Sequence, residues 1–180
     1  MLARPFYAMP MAGLVILWVA PGRAHATGAG EKQVAAGLGF ALAGDGDTAR
    51  SGMQAGVEAA IGLTDTWAAR GAVSLSWQPG HASDGPRELT TVDLGATYSL
   101  DVVRWVPFLD LGLSLADLRG GRDSAQRLGP QVGLGAEYLL SRRWTLAAFA
   151  RFDYLAVRLA GPGGSQPWLA CAGLRLGWMF

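Results

Sequence analysis

The sequence predicts an all-β fold, an eight-stranded antiparallel up-and-down transmembrane β-barrel. Three observations predict it: short turns recur with the period of a β-hairpin, apolar residues alternate with small or polar ones between the turns, and aromatic residues cluster at the ends of the alternating stretches. After residue 26, no segment approaches the run of about 18 apolar residues that a transmembrane helix needs. A membrane protein with this sequence would therefore cross the bilayer with strands.

The repeat is set by three short polar turns, each followed by a tryptophan, at Trp67, Trp105 and Trp144. These tryptophans are 38 and 39 residues apart. Four Gly-, Pro- and Asp-rich stretches are interpreted as longer loops, namely Gly44–Ala49, Pro79–Arg87, Arg119–Gln126 and Gly161–Gln166. Turns and loops together divide the chain into strands of about ten to thirteen residues, the length that a tilted membrane strand requires.

Charge placement predicts which strand face meets lipid. When each strand's register is set by its apolar residues alone, the mid-strand charges fall on the opposite face: Glu58, Arg70, Asp93, Asp110, Glu137, Arg151, Asp153 and Arg175. An eight-stranded barrel has room inside for side chains only, which suits small residues and a few charges. The alternative is a soluble lipocalin-like barrel with its apolar face inside, but stacked Leu, Trp and Tyr are too bulky for that lumen.

The lumen charges are expected to form a buried ion-pair network. Glu58 and Arg70 lie nearly symmetrically about the Thr64–Thr66 turn, so we expect them to pair across two strands. Arg151 and Arg175 are expected to face each other across the last two strands. Such a like-charge pair needs a shared acid, for which Asp153 or Glu137 are the candidates.

Aromatic residues and prolines mark the predicted strand ends. A girdle is expected at the side of the short turns and a sparser one at the side of the loops, formed by Trp67, Tyr98, Trp105, Tyr138, Trp144, Trp178 and Phe180 on the first side and by Trp77, Tyr154 and Trp168 on the second. Pro107, Pro130 and Pro167 are interpreted as lying near strand starts, where a missing backbone donor is tolerated.

The first residues predict export. Arg4, the apolar run Met11–Ala20 and the small-x-small site ending at Ala26 indicate a signal peptide over residues 1–26, which leaves residues 27–180 as the barrel domain. The near-neutral charge balance gives no reason to expect a nucleic-acid partner. A lone Cys171 can form neither an internal disulfide nor a metal site by itself, and no cofactor is expected.

With the strands placed, the chain resembles the small eight-stranded outer-membrane barrels of the OmpA transmembrane-domain and OmpX-like class. The resemblance covers about residues 31–180 and is carried by TDTWAARGAVSLSW, VRWVPFLDLGLS, SRRWTLAAFARFDY and the final strand LRLGWMF. It implies a place in the outer membrane of a Gram-negative bacterium, reached through the periplasm. It also implies an assembly signal read by the barrel-assembly machinery, in Leu174, Leu176, Trp178 and Phe180. Arg175 stands where that class has a glycine.

These features predict a non-enzymatic barrel with a structural or surface-interaction role in the cell envelope. Its expected partners are outer-membrane lipid and lipopolysaccharide, and it is expected to be a monomer. The alternatives are a narrow small-solute channel and a lipid A-modifying enzyme. The enzyme would have to use His81, Ser83 and Asp84, which are ordinary residues for a loop of this composition. Asp45-Gly46-Asp47 is interpreted as a turn, since it lacks the ligands that calcium requires.

Overall fold

The structure, a computed structural model, describes residues 28–45, 48–79, 85–100, 105–120, 123–161 and 167–180. The predicted signal peptide lies outside these ranges and stays a prediction. Among the described residues, no helix is long and apolar enough to cross a membrane.

Nine antiparallel strand segments form one closed sheet, and they are β1 (Lys32–Asp45), β2 (Thr48–Gly62), β3 (Trp67–Gln78), β4 (Arg87–Ser99), β5 (Trp105–Gly120), β6 (Asp123–Leu139), β7 (Trp144–Tyr154), β8 (Val157–Ala160) and β9 (Pro167–Met179). Segments β7 and β8 both pair with β6, so together they form one barrel strand. The predicted eight-stranded antiparallel barrel is confirmed. We call its two ends the turn side, with residues 63–66 and 140–143, and the loop side, with Gln78 at the end of β3 and Pro167 at the start of β9.

The barrel closes between its first and last strands. The pairing of β1 with β9 runs from Gln33↔Met179 to Asp45↔Pro167. At the turn side, the Phe180 backbone nitrogen donates to the Lys32 carbonyl over 3.0 Å, and the Lys32 nitrogen donates to the Phe180 carbonyl over 3.3 Å. Closure leaves no open edge along the membrane-spanning part of the sheet.

Strand faces follow the predicted alternation. The bulky apolar residues point outward; for example, Leu38 and Phe40 are 66% and 73% exposed. Small and polar residues point inward, and Ser114 and Asp153 on that face are fully buried. The barrel therefore turns its apolar face to lipid, and the soluble alternative with that face inside is wrong.

Two of the predicted loops are mostly strand. Segments β1 and β2 stay paired up to Asp45↔Thr48, and β5 and β6 up to Gly120↔Asp123. Only residues 46–47 and 121–122 lie between them. Polar, Gly-rich sequence has the composition of a loop, yet a hairpin can stay paired above the lipid, where its outer face needs no apolar residues. The other two predicted loops do lie between strands.

Pro130 lies in the interior of β6, so its predicted place near a strand start is wrong. On the side of β7 and β8, the pairing of β6 stops at Gln131 and resumes at Leu128. The chain breaks its strand geometry opposite, where the Ala156 nitrogen donates to the Tyr154 carbonyl over 3.0 Å. A proline is tolerated here because this interruption already removes ladder hydrogen bonds.

The two described tryptophan turns share one geometry. Thr64 Oγ1 accepts from the Trp67 nitrogen over 3.0 Å, and Ser141 Oγ accepts from the Trp144 nitrogen over 3.1 Å. In both turns the tryptophan carbonyl accepts two backbone nitrogens, with distances of 2.8–3.1 Å. A hydroxyl residue three positions before the tryptophan therefore closes each turn, which explains the repeat in the sequence. The third turn, residues 101–104, lies outside the described ranges.

Candidate functional site

The lumen is the candidate site, because all eight predicted lumen charges point into it. A first cluster joins β2, β3, β5 and β9. Arg70 Nε lies 3.1 Å from Glu58 Oε2, and its Nη1 contacts Asp110 Oδ2. Arg175 Nη1 donates to both Glu58 oxygens over 2.7 and 2.8 Å. Thr97 Oγ1 donates to Asp110 Oδ1 over 2.6 Å, so each acid of this cluster has two partners.

A second cluster surrounds Arg151 on β7. Its guanidinium contacts Asp93 across the lumen, lies 3.2 Å from Asp153 and donates to Ser74 Oγ over 3.4 Å. Ser74 continues the network, because its hydroxyl lies 2.5 Å from Thr91 Oγ1 and also accepts from Gln54 Nε2 over 2.5 Å. These polar contacts thus extend from β2, β3 and β4 across the lumen to β7.

Glu137 lies beside the first cluster, since it borders the same cavity as Glu58 and Arg175, and it has hydrogen-bond partners of its own. It accepts from Gln33 Nε2 over 2.5 Å, and the same nitrogen donates to Thr145 Oγ1 over 3.0 Å. These three residues lie near the turn side, on β6, β1 and β7. Gln33 was not among the sequence candidates, since an uncharged amide at a strand start carries no distinct signal.

Arg151 and Arg175 do not face each other, so that prediction is wrong. In the β7–β9 register Arg151 opposes Cys171, and Arg175 opposes Ala147. No acid is shared between the two arginines, because Asp153 pairs with Arg151 and Glu58 pairs with Arg175. The two predicted acids are therefore split: Asp153 binds one arginine, and Glu137 binds Gln33.

Small residues make the room that these long side chains occupy. The Phe108 ring packs on Arg175, with the guanidinium carbon 4.4 Å from the ring centroid. That ring lies against Gly135, where an added Cβ would come within 2.4 Å of Phe108 Cζ. At Gly37, an added Cβ would lie 3.3 Å from Arg175 Cβ. Inward glycines thus provide the space for the arginine layer.

An apolar cluster, which we call the plug, lies in the loop-side half of the lumen, and its buried members are Ala41, Ala43, Leu89, Ala116, Leu155, Leu169 and Cys171. Leu118 and Phe149 pack against it. The plug was not predicted from the sequence, because the inward face was expected to carry only small and polar residues. The available signal was the presence of leucines at inward positions toward the loop ends of three strands, at Leu89, Leu155 and Leu169.

Two buried polar residues at the loop side were also missed. Arg127 was placed just after a predicted loop, but it points into the barrel and is 7% exposed, and its Nε has no hydrogen-bond partner among the described residues. Gln78, at the end of β3, is fully buried. Both positions lie on strand ends that the sequence assigned to the loops or their borders.

In the part of the lumen that the structure describes, two cavities border the charged residues, and both are small. One of about 60 Å³ borders Gln54, Glu58, Arg70, Arg151 and Arg175. The other, about 40 Å³, lies at the turn side beside Gln33, Phe108 and Glu137, and it also borders Glu58 and Arg175. A water needs roughly 10–15 Å³ of such volume, so each cavity holds a few waters and no organic ligand.

The predicted girdle residues lie at the two ends of the lipid face. On the turn side they form cross-strand pairs: ring centroids are 5.0 Å apart in Trp67–Tyr98, 4.9 Å in Trp105–Tyr138 and 6.2 Å in Trp144–Trp178. On the loop side, Trp168 stacks on Phe152 at 6.2 Å, while Trp77 and Tyr154 are exposed.

The residues of the predicted assembly signal lie on or just after β9. Leu174, Leu176 and Trp178 face outward, and the Phe180 ring contacts Trp178 at 5.6 Å between centroids.

Among the described residues, no group of three or more His, Cys, Asp or Glu side chains could hold a metal ion. His81, Ser83 and Asp84 lie outside the described ranges, as do Gly46 and Asp47 of the predicted turn. The side chains of the described lumen can neutralise one another's charges, bind water and block the passage of solutes.

A protein-family model described as "Outer membrane protein beta-barrel domain" matches residues 12–180. No curated protein sequence matches the chain significantly.

Solved structures share the fold. Neisserial surface protein A (NspA) is 18% identical with a TM-score of 0.67, and the match covers 81% of this chain and 97% of that one. Ail, the attachment invasion locus protein of Yersinia pestis, is 12% identical with a TM-score of 0.60, over 84% and 99% of the two chains. The outer membrane enzyme PagL is 13% identical with a TM-score of 0.50, over 80% and 97%. At these identities the likeness concerns the barrel fold, which hosts different activities.

Proposed function

Because this chain belongs to the outer membrane β-barrel domain family and lies in the outer membrane, we propose that it serves the cell envelope as a closed, non-enzymatic barrel with a structural or surface-interaction role. The observation that carries the proposal is the filled lumen. Ion pairs tie the wall together through the middle of the barrel, and the plug lies in its loop-side half. A barrel of eight strands leaves no continuous aqueous pore once side chains fill it.

The surface-interaction part rests on the loop-side hairpins. Segments β5 and β6 are 16 and 17 residues long, whereas a tilted strand needs only about 9–11 residues to cross the bilayer. Since Trp105 starts β5 in the turn-side girdle, the surplus length projects on the loop side, which is extracellular in barrels of this kind. The hairpin ends are rich in Gly, Asp, Arg and Ser and contain no Trp or Tyr, which favours a passive role over specific adhesion.

Reconstitution in planar lipid bilayers tests the closed barrel. We expect the purified, folded protein to give no defined conductance steps, because its two cavities hold only a few waters each and end below the plug. Reproducible steps from the unmodified protein would instead support the narrow-channel alternative. A known porin, inserted under the same conditions, controls for bilayer quality.

The non-enzymatic part is tested on lipid A. We expect the lipid A mass spectrum to be the same in cells that express the protein, in cells that express His81→Ala and in cells that lack the gene. A mass change that requires His81 would support the lipid A-modifying alternative, since His81 is the only histidine after the predicted signal peptide.

The proposed partners follow from the outer surface. The apolar band between the girdles suits membrane lipid, and the projecting loop-side ends suit contact with lipopolysaccharide. The barrel-assembly machinery is proposed to read the β9 residues during insertion. A monomer is proposed because closure removes the strand edges through which barrels could pair.

A further inference from the structure

We propose that the plug, and not the ion-pair network, is the permeability barrier of this barrel, and that the lumen beneath it is a water-filled vestibule reached from the turn side. The inference deepens the proposed function and rests on it, because it says which layer keeps the barrel closed. It divides the lumen into a wetted part and a dry part that the sequence alone did not distinguish.

The vestibule is built from the two cavities. They share Glu58 and Arg175 in their walls, so this ion pair lies between them. Gln54 Oε1 and Arg175 Nε are buried without a protein partner and belong to residues that line the first cavity. Buried polar atoms beside a polar cavity are satisfied by water, so the cavity is expected to be hydrated.

The turn-side cavity reaches the end of the barrel. Its walls include Lys32, Leu139 and Met179, which lie at the turn-side ends of β1, β6 and β9. Lys32 and Leu139 are only partly buried, so solvent contacts this rim. A path for water therefore runs from the rim, past the Glu58–Arg175 pair, to the cavity beside Arg151.

The plug ends that path. Neither cavity borders Leu89, Leu155 or Leu169. Its members come from β1, β4, β5 and β9 and from Leu155 just after β7, so they meet from opposite walls of the barrel. Charged side chains can exchange partners with water as ions pass, whereas an apolar constriction excludes water and closes a pore by dewetting.

The first test shortens two leucines of the plug and leaves the ion-pair network unchanged. In Leu155→Ala/Leu169→Ala, two large side chains leave the loop-side lumen. The matched control Leu134→Ala/Leu146→Ala removes two leucines from the lipid face of β6 and β7, where they are 61% and 39% exposed. Both variants are first shown to be folded on a denaturing gel, where the boiled sample of a folded barrel migrates more slowly than the unboiled sample. We expect conductance steps in planar bilayers from the plug variant only.

The second test leaves the three leucines of the plug in place. In a Cys171→Ala background, Ala60→Cys places a thiol in the turn-side cavity and Ala43→Cys places one in the plug. The probe is 2-aminoethyl methanethiosulfonate, a small charged thiol reagent, added to both sides of vesicles. We expect the thiol at position 60 to react at least tenfold faster than the thiol at position 43.

The outcomes separate this inference from the proposed function. Equal reaction rates of the thiols at positions 43 and 60 would overturn the plug as the barrier. A folded Leu155→Ala/Leu169→Ala variant that gives no conductance steps in bilayers would also overturn it. Conductance from Arg175→Met, which removes the ion pair between Arg175 and Glu58 but leaves the plug intact, would overturn it as well. Conductance from the unmodified protein would instead overturn the closed barrel itself.

Discussion

Arg70, Arg151 and Arg175 each bind a carboxylate on a strand that is not their neighbour in the sheet. Arg70 on β3 reaches Asp110 on β5, Arg151 on β7 reaches Asp93 on β4, and Arg175 on β9 reaches Glu58 on β2. These ion pairs cross the lumen or pass over a strand. They therefore fix the distance between walls that share no backbone hydrogen bonds.

Arg70→Ala should lower the melting temperature of the folded barrel. It leaves Asp110 with only Thr97 and Glu58 with only Arg175, and breaking a buried pair by removing one partner typically costs about 3–5 kcal/mol. The melt can be followed by circular dichroism in detergent. Arg142→Ala, in an exposed turn, is the control, and a melt of Arg70→Ala that matches it would contradict the pairing.

Gly135→Ala should destabilise the barrel by about 1–3 kcal/mol, the usual cost of overpacking. An added Cβ would come within 2.3 Å of the Ala148 carbonyl oxygen and 2.4 Å of the Phe108 ring, which supports Arg175. Gly71→Ala is the matched control, because its Cβ would make only an ordinary contact, 3.4 Å from Leu94. Urea unfolding in lipid vesicles measures the stability of both variants. Equal unfolding midpoints would show that the barrel accommodates a methyl group at position 135 without loss of stability.

The sequence predicts lumen contacts between two strands only where a short turn fixes the register of those strands. Glu58 and Arg70 flank a four-residue turn, so counting outward from the turn places them close together. Arg151 and Arg175 lie on strands joined through β8 and a loop, and no tight turn fixes their relative position. Ion pairs across the lumen, such as Arg151–Asp93, depend on the closed barrel and have no signature along the chain.

At the level of strands, the turn-side girdle consists of aromatic rungs in register. Trp67 opposes Tyr98, Trp105 opposes Tyr138, and Trp144 opposes Trp178. Each rung joins two adjacent strands at the membrane interface, where amphipathic rings are favoured. The repeated tryptophan after a short turn thus both anchors the barrel and fixes the pairing of neighbouring strands.

A double-mutant cycle should detect one such rung. Trp144→Ala and Trp178→Ala, singly and together, should give a coupling energy of about 0.5–1.5 kcal/mol, because the rings stack at 6.2 Å with planes 20° apart. Unfolding free energies in vesicles supply the cycle. The comparison is Leu146 with Phe152, which both face outward on β7 but lie six residues apart and are not paired across strands. Equal coupling energies in the two cycles would contradict a specific interaction between Trp144 and Trp178.

Strand identity was predictable from alternation, whereas strand length was not. The lipid imposes its pattern only between the girdles, so the ends of β1, β2, β5 and β6 beyond the loop-side girdle carry polar, Gly-rich sequence and still pair. The interruption between β7 and β8 likewise leaves no periodic signal. The sequence marks it only by the neighbouring residues Gly129 and Pro130 on the facing strand. At Gly129, an added Cβ would lie 1.7 Å from the Tyr154 carbonyl oxygen.

The whole barrel should behave as one detergent-resistant unit. In isolated outer-membrane fractions, the unboiled protein should migrate faster on a denaturing gel than the boiled protein, because a closed sheet with cross-lumen ion pairs resists detergent. A single band that does not shift on boiling, recovered from the periplasmic fraction, would contradict membrane insertion. A soluble periplasmic protein analysed in parallel controls for leakage between fractions.

The pairing of β1 with β9 also bears on how the molecule comes to be made. Contacts so distant along the chain form late and slowly, since the ends of a long loop must first meet. Until then, the growing polypeptide has two unpaired strand edges and an apolar face, which together invite aggregation. Pairing of β1 with β9 removes both strand edges, and insertion into lipid covers the apolar face. We therefore expect the nascent protein to depend on chaperones throughout its passage between the two membranes.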